Sequence, residues 1–149
     1  MAKFLFIQDI LFDYFGPMYI SAMLKAKGHS CDLLVLAEEK NVLSQIAKIK
    51  PDALLISTMT GPHKTYLQFI RNLKKRIRIP VVMGGPHPTF FPEVLKNPEV
   101  DYICVGEGEG FINDFADAIA SGKNVKTIPN LGYKKRGTCV YNPVRNLVS

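Results

Sequence analysis

Five short apolar runs, at 4–7, 33–36, 53–56, 79–83 and 102–105, alternate along the chain with stretches whose apolar residues recur at helical spacing. That alternation leaves few folds open. Parallel neighbours must be joined by crossovers, the intervening helices supply them, and strands with apolar residues in succession are covered on both faces. Ile20, Met23, Leu24 and Lys27 share a face of the first helix, which Pro17 opens and Gly28 ends. Val42, Ile46 and Ile49 do the same over 41–49, and Tyr66, Ile70, Leu73 and Ile77 in the third helix. A short helical piece is predicted over 91–95, and a last helix from near Glu109 to Gly122 buries Phe111, Ile112, Phe115 and Ile119. The expected fold class is α/β, a doubly wound five-stranded parallel sheet in the flavodoxin-like (Rossmann-like) order 2-1-3-4-5. Residues 131–133 and 138–141 read as strands of an appended C-terminal β-hairpin, and 142–149, which has no periodicity, as a linker out of a domain cut from a longer protein. The division expected is an α/β domain over 1–127, the hairpin over 128–141 and the linker over 142–149.

A chain of 149 residues, 47% apolar, can bury a core without staples. No apolar run is long enough to span a membrane, and the first residues lack the length and cleavage site of a signal peptide, so a cytoplasmic location is the default. Cys31, Cys104 and Cys139 are far apart and form no CxxC pair, which suits buried thiols. The net charge of +6 is concentrated in 71–78 and 134–136. The first cluster falls on the outer side of an amphipathic helix without interleaved aromatic residues, so a solvated face is favoured over nucleic acid.

Ligands of open α/β sheets bind at the carboxyl ends of the strands, and the loops there differ from those at the other end. The loops leaving strands, 8–16, 57–62, 84–88 and 106–110, are rich in glycine, hydroxyls and aromatic residues, whereas those approaching strands are ordinary polar turns. Gly84-Gly85, followed by Pro86-His87-Pro88-Thr89, offers either an open face beside a strand end or a tight turn into the next helix. Gly106-Glu107-Gly108-Glu109-Gly110 is a poor dinucleotide fingerprint, because it follows the fifth strand and its carboxylates would repel a pyrophosphate. Glu107 and Glu109 either cap the helix or accept hydrogen bonds from a ligand. A metal site of His87, Glu107 and Cys104 is a weak signal, and His29 and His63 read as surface or capping residues. The loops carry no nucleophilic triad and no acidic cluster of a receiver domain, so the edge binds without evident catalytic machinery.

Ser57-Thr58-Met59 after the third strand, Gly84-Gly85-Pro86-His87-Pro88-Thr89 after the fourth, and the run from Val100 through Gly106-Glu107-Gly108-Glu109 together resemble the amino-terminal cobalamin (vitamin B12)-binding domain of cobalamin-dependent radical S-adenosylmethionine proteins. Ser57-x-Met59 and Gly84-Gly85 are similar to two of the three marks of cobalamin domains. The third, a DxHxxG loop, is missing: aligned on Gly16, Leu11 stands for its aspartate and Asp13 for its histidine. The resemblance therefore implies base-off cobalamin with no histidine below cobalt, where Asp13, Tyr14, a water or nothing would lie. It further implies that Ser57 meets the displaced base, that Gly84 and Gly85 leave room for the nucleotide tail, and that the corrin rests on Tyr14, Phe15, Met59 and Thr60 with His87 and Glu107 at its fringe. The cofactor-binding set so implied is Asp13, Tyr14, Phe15, Gly16, Ser57, Thr58, Met59, Thr60, Gly84, Gly85, Pro86, His87, Gly106, Glu107, Gly108 and Glu109, with no catalytic residue and no metal ligand.

The family's iron–sulfur cluster needs a CxxxCxxC motif that three isolated cysteines do not provide. The cluster and S-adenosylmethionine would then belong to a carboxyl-terminal radical domain acting in cis, with cobalamin as methyl donor in a methyltransferase-type protein or in a cyclase. The same scaffold also suits a flavodoxin-like domain for another small cofactor such as a flavin, or an interaction scaffold without a ligand.

Overall fold

The computed structural model describes residues 1–147; the last two positions of the expected linker lie outside the described residues. The chain runs β1 (Lys3–Gln8), α1 (Phe15–Ala26), β2 (Ser30–Val35), α2 (Val42–Ile49), β3 (Ala53–Ser57), α3 (His63–Lys74), β4 (Val81–Gly84), α4 (Pro86–Phe90), a 3-10 turn (Pro92–Lys96), β5 (Tyr102–Cys104), α5 (Gly108–Ser121), β6 (Leu131–Lys135) and β7 (Thr138–Tyr141). One sheet holds all the strands in the order β2-β1-β3-β4-β5-β6-β7. The first five are mutually parallel, with Phe6 beside Leu33 and Leu55, and Val82 beside Leu55 and Tyr102.

The sheet has seven strands where a five-stranded one was expected, because the hairpin joins it: β6 pairs antiparallel with β5, Cys104 opposite Leu131. The reason is the edge. Without β6, the outer edge of β5, away from β4, would be unpaired along a buried apolar strand. Gly132 permits this pairing, since a Cβ there would lie 2.6 Å from Ile103 Cγ1. Arg136 and Gly137, both at positive φ, make the two-residue turn that a hairpin's twist favours.

Successive side chains of a strand face opposite ways, so each parallel strand feeds two cores. Phe4 and Phe6 of β1 join Leu55, Val82, Phe111 and Phe115 under α1 and α5. Leu5 and Ile7 join Leu54, Ile56, Met83, Tyr66 and Ile70 under α2 and α3. His29 is buried rather than at the surface, its Nδ1 accepting from the Ala2 amide at 3.1 Å. The basic stretch of α3 is partly structural. Arg71 donates to the buried Glu99 carboxylate at 2.9 Å, and Lys74 pairs with Asp101, which also accepts from the Val81 amide. No helix among the described residues is long and apolar enough to cross a membrane.

Residues 142–145 are not a free tail. Asn130, 2% exposed and at φ +70°, ties them to the end of β5. Its side-chain amide donates to Val105 O at 2.7 Å, its Oδ1 accepts from the Arg145 amide at 3.1 Å, and its backbone bonds Val105 N and Pro143 O. Asparagine tolerates the left-handed region better than other residues with a Cβ. Asn130→Ala is therefore expected to cost about 2–3 kcal/mol in urea unfolding, from two lost hydrogen bonds and added backbone strain. Asn130→Gly, which relieves the strain alone, should lose less.

Candidate functional site

The carboxyl ends of β1, β3, β4 and β5 open into a cleft of about 180 Å³ that runs down between the sheet and helices α1 and α5. Its floor is apolar: Phe6, Leu55, Val82, Phe111 and Ile112, walled by Ile20 and Pro17 of α1. Gly16, Ser57, Gly84, Gly85, Gly106, Gly108 and Glu109 line its upper part. No lysine, arginine or histidine lines it, so a ligand that must bury a pyrophosphate would find a carboxylate there and no cation.

The two glycines after β4 have different roles. A Cβ on Gly84 would meet only Cys104 Cβ, at 3.7 Å, and would otherwise project into the cleft. Gly85 is required by the fold. It sits at φ +93°, and a Cβ there would lie 2.8 Å from Ser57 Oγ, 2.9 Å from Thr58 N and 3.0 Å from Thr58 O. The chain does not continue as a loop, because Pro86 starts α4 at once, its missing N–H being no loss in a first turn. Thr89 of that helix links two site loops, donating to Gly85 O at 2.9 Å while its Oγ1 accepts from the Gly106 amide at 3.0 Å.

This turn takes some expected site residues out of the cleft. Thr58 is 3% exposed and spends its hydroxyl on Met59 O; its amide bonds Gly84 O and its carbonyl the His87 amide. His87 is 7% exposed, so it does not stand at an open fringe. Its Nδ1 lies 2.9 Å from Thr60 Oγ1, and its ring stacks on His63 at 3.8 Å and on Phe91 at 5.4 Å. Burial, and then the neighbouring His63, lower its pKa from the ordinary histidine value, which favours a neutral imidazole. Pro86 is exposed on the outer side of the same turn.

The β1–α1 loop forms the rim. Asp13 and Phe15 are exposed, the latter at 81%, beside Ile10, Leu11 and Phe12, with Met59 exposed on the next loop. Sequence reading missed what holds this loop. Asp9 Oδ1 accepts from Tyr66 Oη of α3 at 3.1 Å, from Tyr14 Oη at 3.2 Å and from the Ile10 amide at 2.9 Å, while Tyr66 Oη accepts from the Asp9 amide. Burial pushes the pKa of both phenols up, so they remain hydroxyls. A tyrosine on the buried stripe of a helix was the available signal, since its hydroxyl must find a partner.

Glu107 stands at the N-cap of α5 and is exposed. Glu109 reaches inward, and its Oε2 is buried with no hydrogen-bond partner among the described residues. The Cys104 thiol is pushed up to about 12, chiefly by burial, which leaves it protonated and unreactive at neutral pH. The described residues hold no group of three or more potential metal ligands. The arrangement can enclose the apolar end of a large ligand, meet it with a few polar atoms, and leave the remainder lying on an exposed aromatic and thioether rim.

Comparison with known proteins agrees with this geometry. The sequence model of the B12 binding domain matches residues 13–116. The chain is 32% identical over 142 residues to the "uncharacterized methyltransferase PH0819" of Pyrococcus horikoshii, covering 89% of this chain and 30% of that protein. It is 25% identical over 129 residues to the anaerobic magnesium-protoporphyrin IX monomethyl ester cyclase of Synechocystis, covering 80% of this chain and 26% of that one. The fold superposes on the cobalamin-dependent S-adenosylmethionine radical enzyme OxsB with a TM-score of 0.83, at 15% identity over 99% of this chain and 23% of OxsB. It superposes on the radical S-adenosylmethionine methyltransferase TsrM of Kitasatospora setae with a TM-score of 0.78, at 17% identity over all of this chain and 30% of TsrM. The chain thus spans less than a third of the length of each of these relatives.

The contrast between the two glycines is measurable. Gly85→Ala is expected to lower the stability of the ligand-free protein by about 1–3 kcal/mol, since the Thr58 backbone just after β3 would have to move. Gly84→Ala should change it by less than about 0.5 kcal/mol.

Proposed function

The chain belongs to the B12 binding domain family, and we propose that it holds cobalamin across the carboxyl edge of its sheet as the cofactor module of a radical S-adenosylmethionine protein, of methyltransferase or cyclase type. The observation that carries this reading is the cleft. At about 180 Å³ it is smaller than the ~300–1,000 Å³ of a pocket that takes a whole ligand. It suits one apolar limb of a ligand whose bulk stays outside, and cobalamin, a broad disc with an aromatic nucleotide tail, has that shape. The residues fit it: the floor of Phe6, Leu55, Val82 and Phe111 would face the tail's ring, and Gly84 and Gly16 leave its path open.

Ser57, half-buried at the end of β3, would meet the tail with its hydroxyl. Met59, Phe12, Phe15 and Tyr14 would carry the underside of the corrin, with the Asp9–Tyr66 contact keeping the β1–α1 loop in place. Glu107 lies where a corrin amide fringe would pass. Loop 9–14 has no histidine, and His87 is committed to Thr60 and its ring stacks, which supports a base-off form without an imidazole from this chain below cobalt. When bound, cobalamin supplies a cobalt centre able to carry and hand on a one-carbon group. This chain's part is to bind, orient and partly shield the cofactor, with a protonated Cys104 thiol and phenol hydroxyls that offer no competing nucleophile.

The domain division follows the same reading: residues 1–127 as the cofactor-binding α/β unit, 128–141 as the hairpin that completes its sheet, and 142–149 as the passage toward a carboxyl-terminal radical domain that would hold the iron–sulfur cluster and S-adenosylmethionine. The larger size of the relatives supports this. The absence of a membrane-length apolar helix among the described residues is compatible with work in the cytoplasm.

Titration with hydroxocobalamin, followed by visible spectrum and a mass-based stoichiometry, is expected to show saturable one-to-one binding. Gly84→Leu, which fills the cleft, should abolish it while leaving the far-UV circular dichroism unchanged. Binding unaffected by that substitution would refute the cleft as the tail site.

A further inference from the structure

Glu109 sits in the first turn of α5, where a carboxylate favours the helix dipole. An exposed carboxylate would do that equally well. This one lines the cleft, and its Oε2 is buried with no donor among the described residues. A buried acceptor without a donor is destabilising, and a protein retains one where a ligand completes it. Arg145, the nearby cation, does not line the cleft and makes no hydrogen bond to it: its guanidinium packs on Gly110, Nη2 is engaged by Asp114 and Nη1 is buried without a partner among the described residues. The other cleft-lining residues are glycines, apolar side chains, Ser57 and Cys104. The Cys104 thiol is directed to Gly106 O and Glu107 O, and neither it nor the Ser57 hydroxyl is bonded to Glu109 Oε2.

We infer that Glu109 is a specificity-determining residue that accepts a hydrogen bond from a hydroxyl of the ligand's nucleotide tail. The inference rests on the cobalamin reading of the cleft. Depth decides which part of the tail is involved. Glu109 stands one turn above Ile112, and the floor below it is apolar, so a ring without donors goes down and the hydroxyl-bearing sugar next to it stays level with the carboxylate. A tail-bearing corrinoid satisfies the buried oxygen, whereas one that lacks the tail leaves it as it is in the empty protein. Glu109 therefore selects for complete cobalamin over its tail-less precursor form.

The test compares hydroxocobalamin with aquacobinamide, which has the corrin but no nucleotide, on the unmodified chain and on Glu109→Ala and Glu109→Gln, with thermal melts of each ligand-free protein. The unmodified chain should bind cobalamin more tightly than cobinamide. Glu109→Ala should weaken cobalamin about tenfold and leave cobinamide unchanged, and Glu109→Gln, which keeps an acceptor, should recover most of the loss. The ligand-free melting temperature of Glu109→Ala should equal or exceed that of the unmodified chain, which a merely structural residue would not allow. Cobalamin affinity unchanged in Glu109→Ala, or both ligands weakened alike, overturns the inference. Equal binding of the two corrinoids by the unmodified chain also overturns it, and with it the tail's place in the cleft, while corrinoid binding itself stands. Binding of neither removes that reading and the inference with it.

Discussion

A parallel strand cannot turn directly into its neighbour, and this constraint arranges the molecule. Each strand from β1 to β4 must leave the sheet at its carboxyl end, cross over through helical structure and return at the other end, and β5, parallel to them, ends at the same edge. Four departing loops therefore converge on one edge although they are separated by up to about a hundred residues in the chain. The apolar strands are buried on both faces, so the sheet is rigid, and the loops it carries can be irregular without loss of the fold. Under α1 and α5 helix and sheet do not close on each other at that edge, and the cleft lies there.

The loops are held to one another by a few specific contacts. Gly85 lies against the Ser57 hydroxyl and the Thr58 backbone, Thr89 joins the β4 turn to the β5 loop, and Asn130 fastens that loop to residues 142–145. Asp9 does the same for the first loop through Tyr66. Small side chains at the strand ends thus do two things at once: they let neighbouring loops approach and they keep the cleft open. An edge so fixed before any ligand arrives needs little ordering on binding, which is the condition for holding a large cofactor with few polar anchors.

Much of the architecture was legible because hydrophobic period reports burial and helix caps report ends. The parallel strands and their crossover helices follow from those signals, whereas the hairpin's connection, expected over 134–137, shortens to Arg136-Gly137 because β6 runs on to Lys135. The hairpin at the edge was legible as well, but its pairing with β5 into one seven-stranded sheet was not, since it depends on an open edge at β5 and on a glycine opposite Ile103, a contact between residues far apart in the chain. Nor was α4: Pro86 and Pro88 looked like loop residues, yet a proline in a first helical turn loses nothing. In the site, the glycines and Glu109 were visible as residue types at strand ends. That Thr58 and His87 turn inward was not, because it follows from the positive φ of Gly85. Ile20, Phe111 and Ile112 read as ordinary core, since periodicity says that a side chain is buried and not that it borders a cavity.

On the proposed reading the carboxyl edge of this sheet, and no other surface, receives the cofactor. Amide hydrogen exchange, read by mass spectrometry with and without hydroxocobalamin, tests it most directly. Slowed exchange confined to 9–16, 57–61, 84–89 and 105–109, with the outer face of α3 and the opposite ends of the strands unchanged, is the predicted result. Protection centred on the basic face of α3 or on the hairpin, with the four loops unaffected, would contradict it.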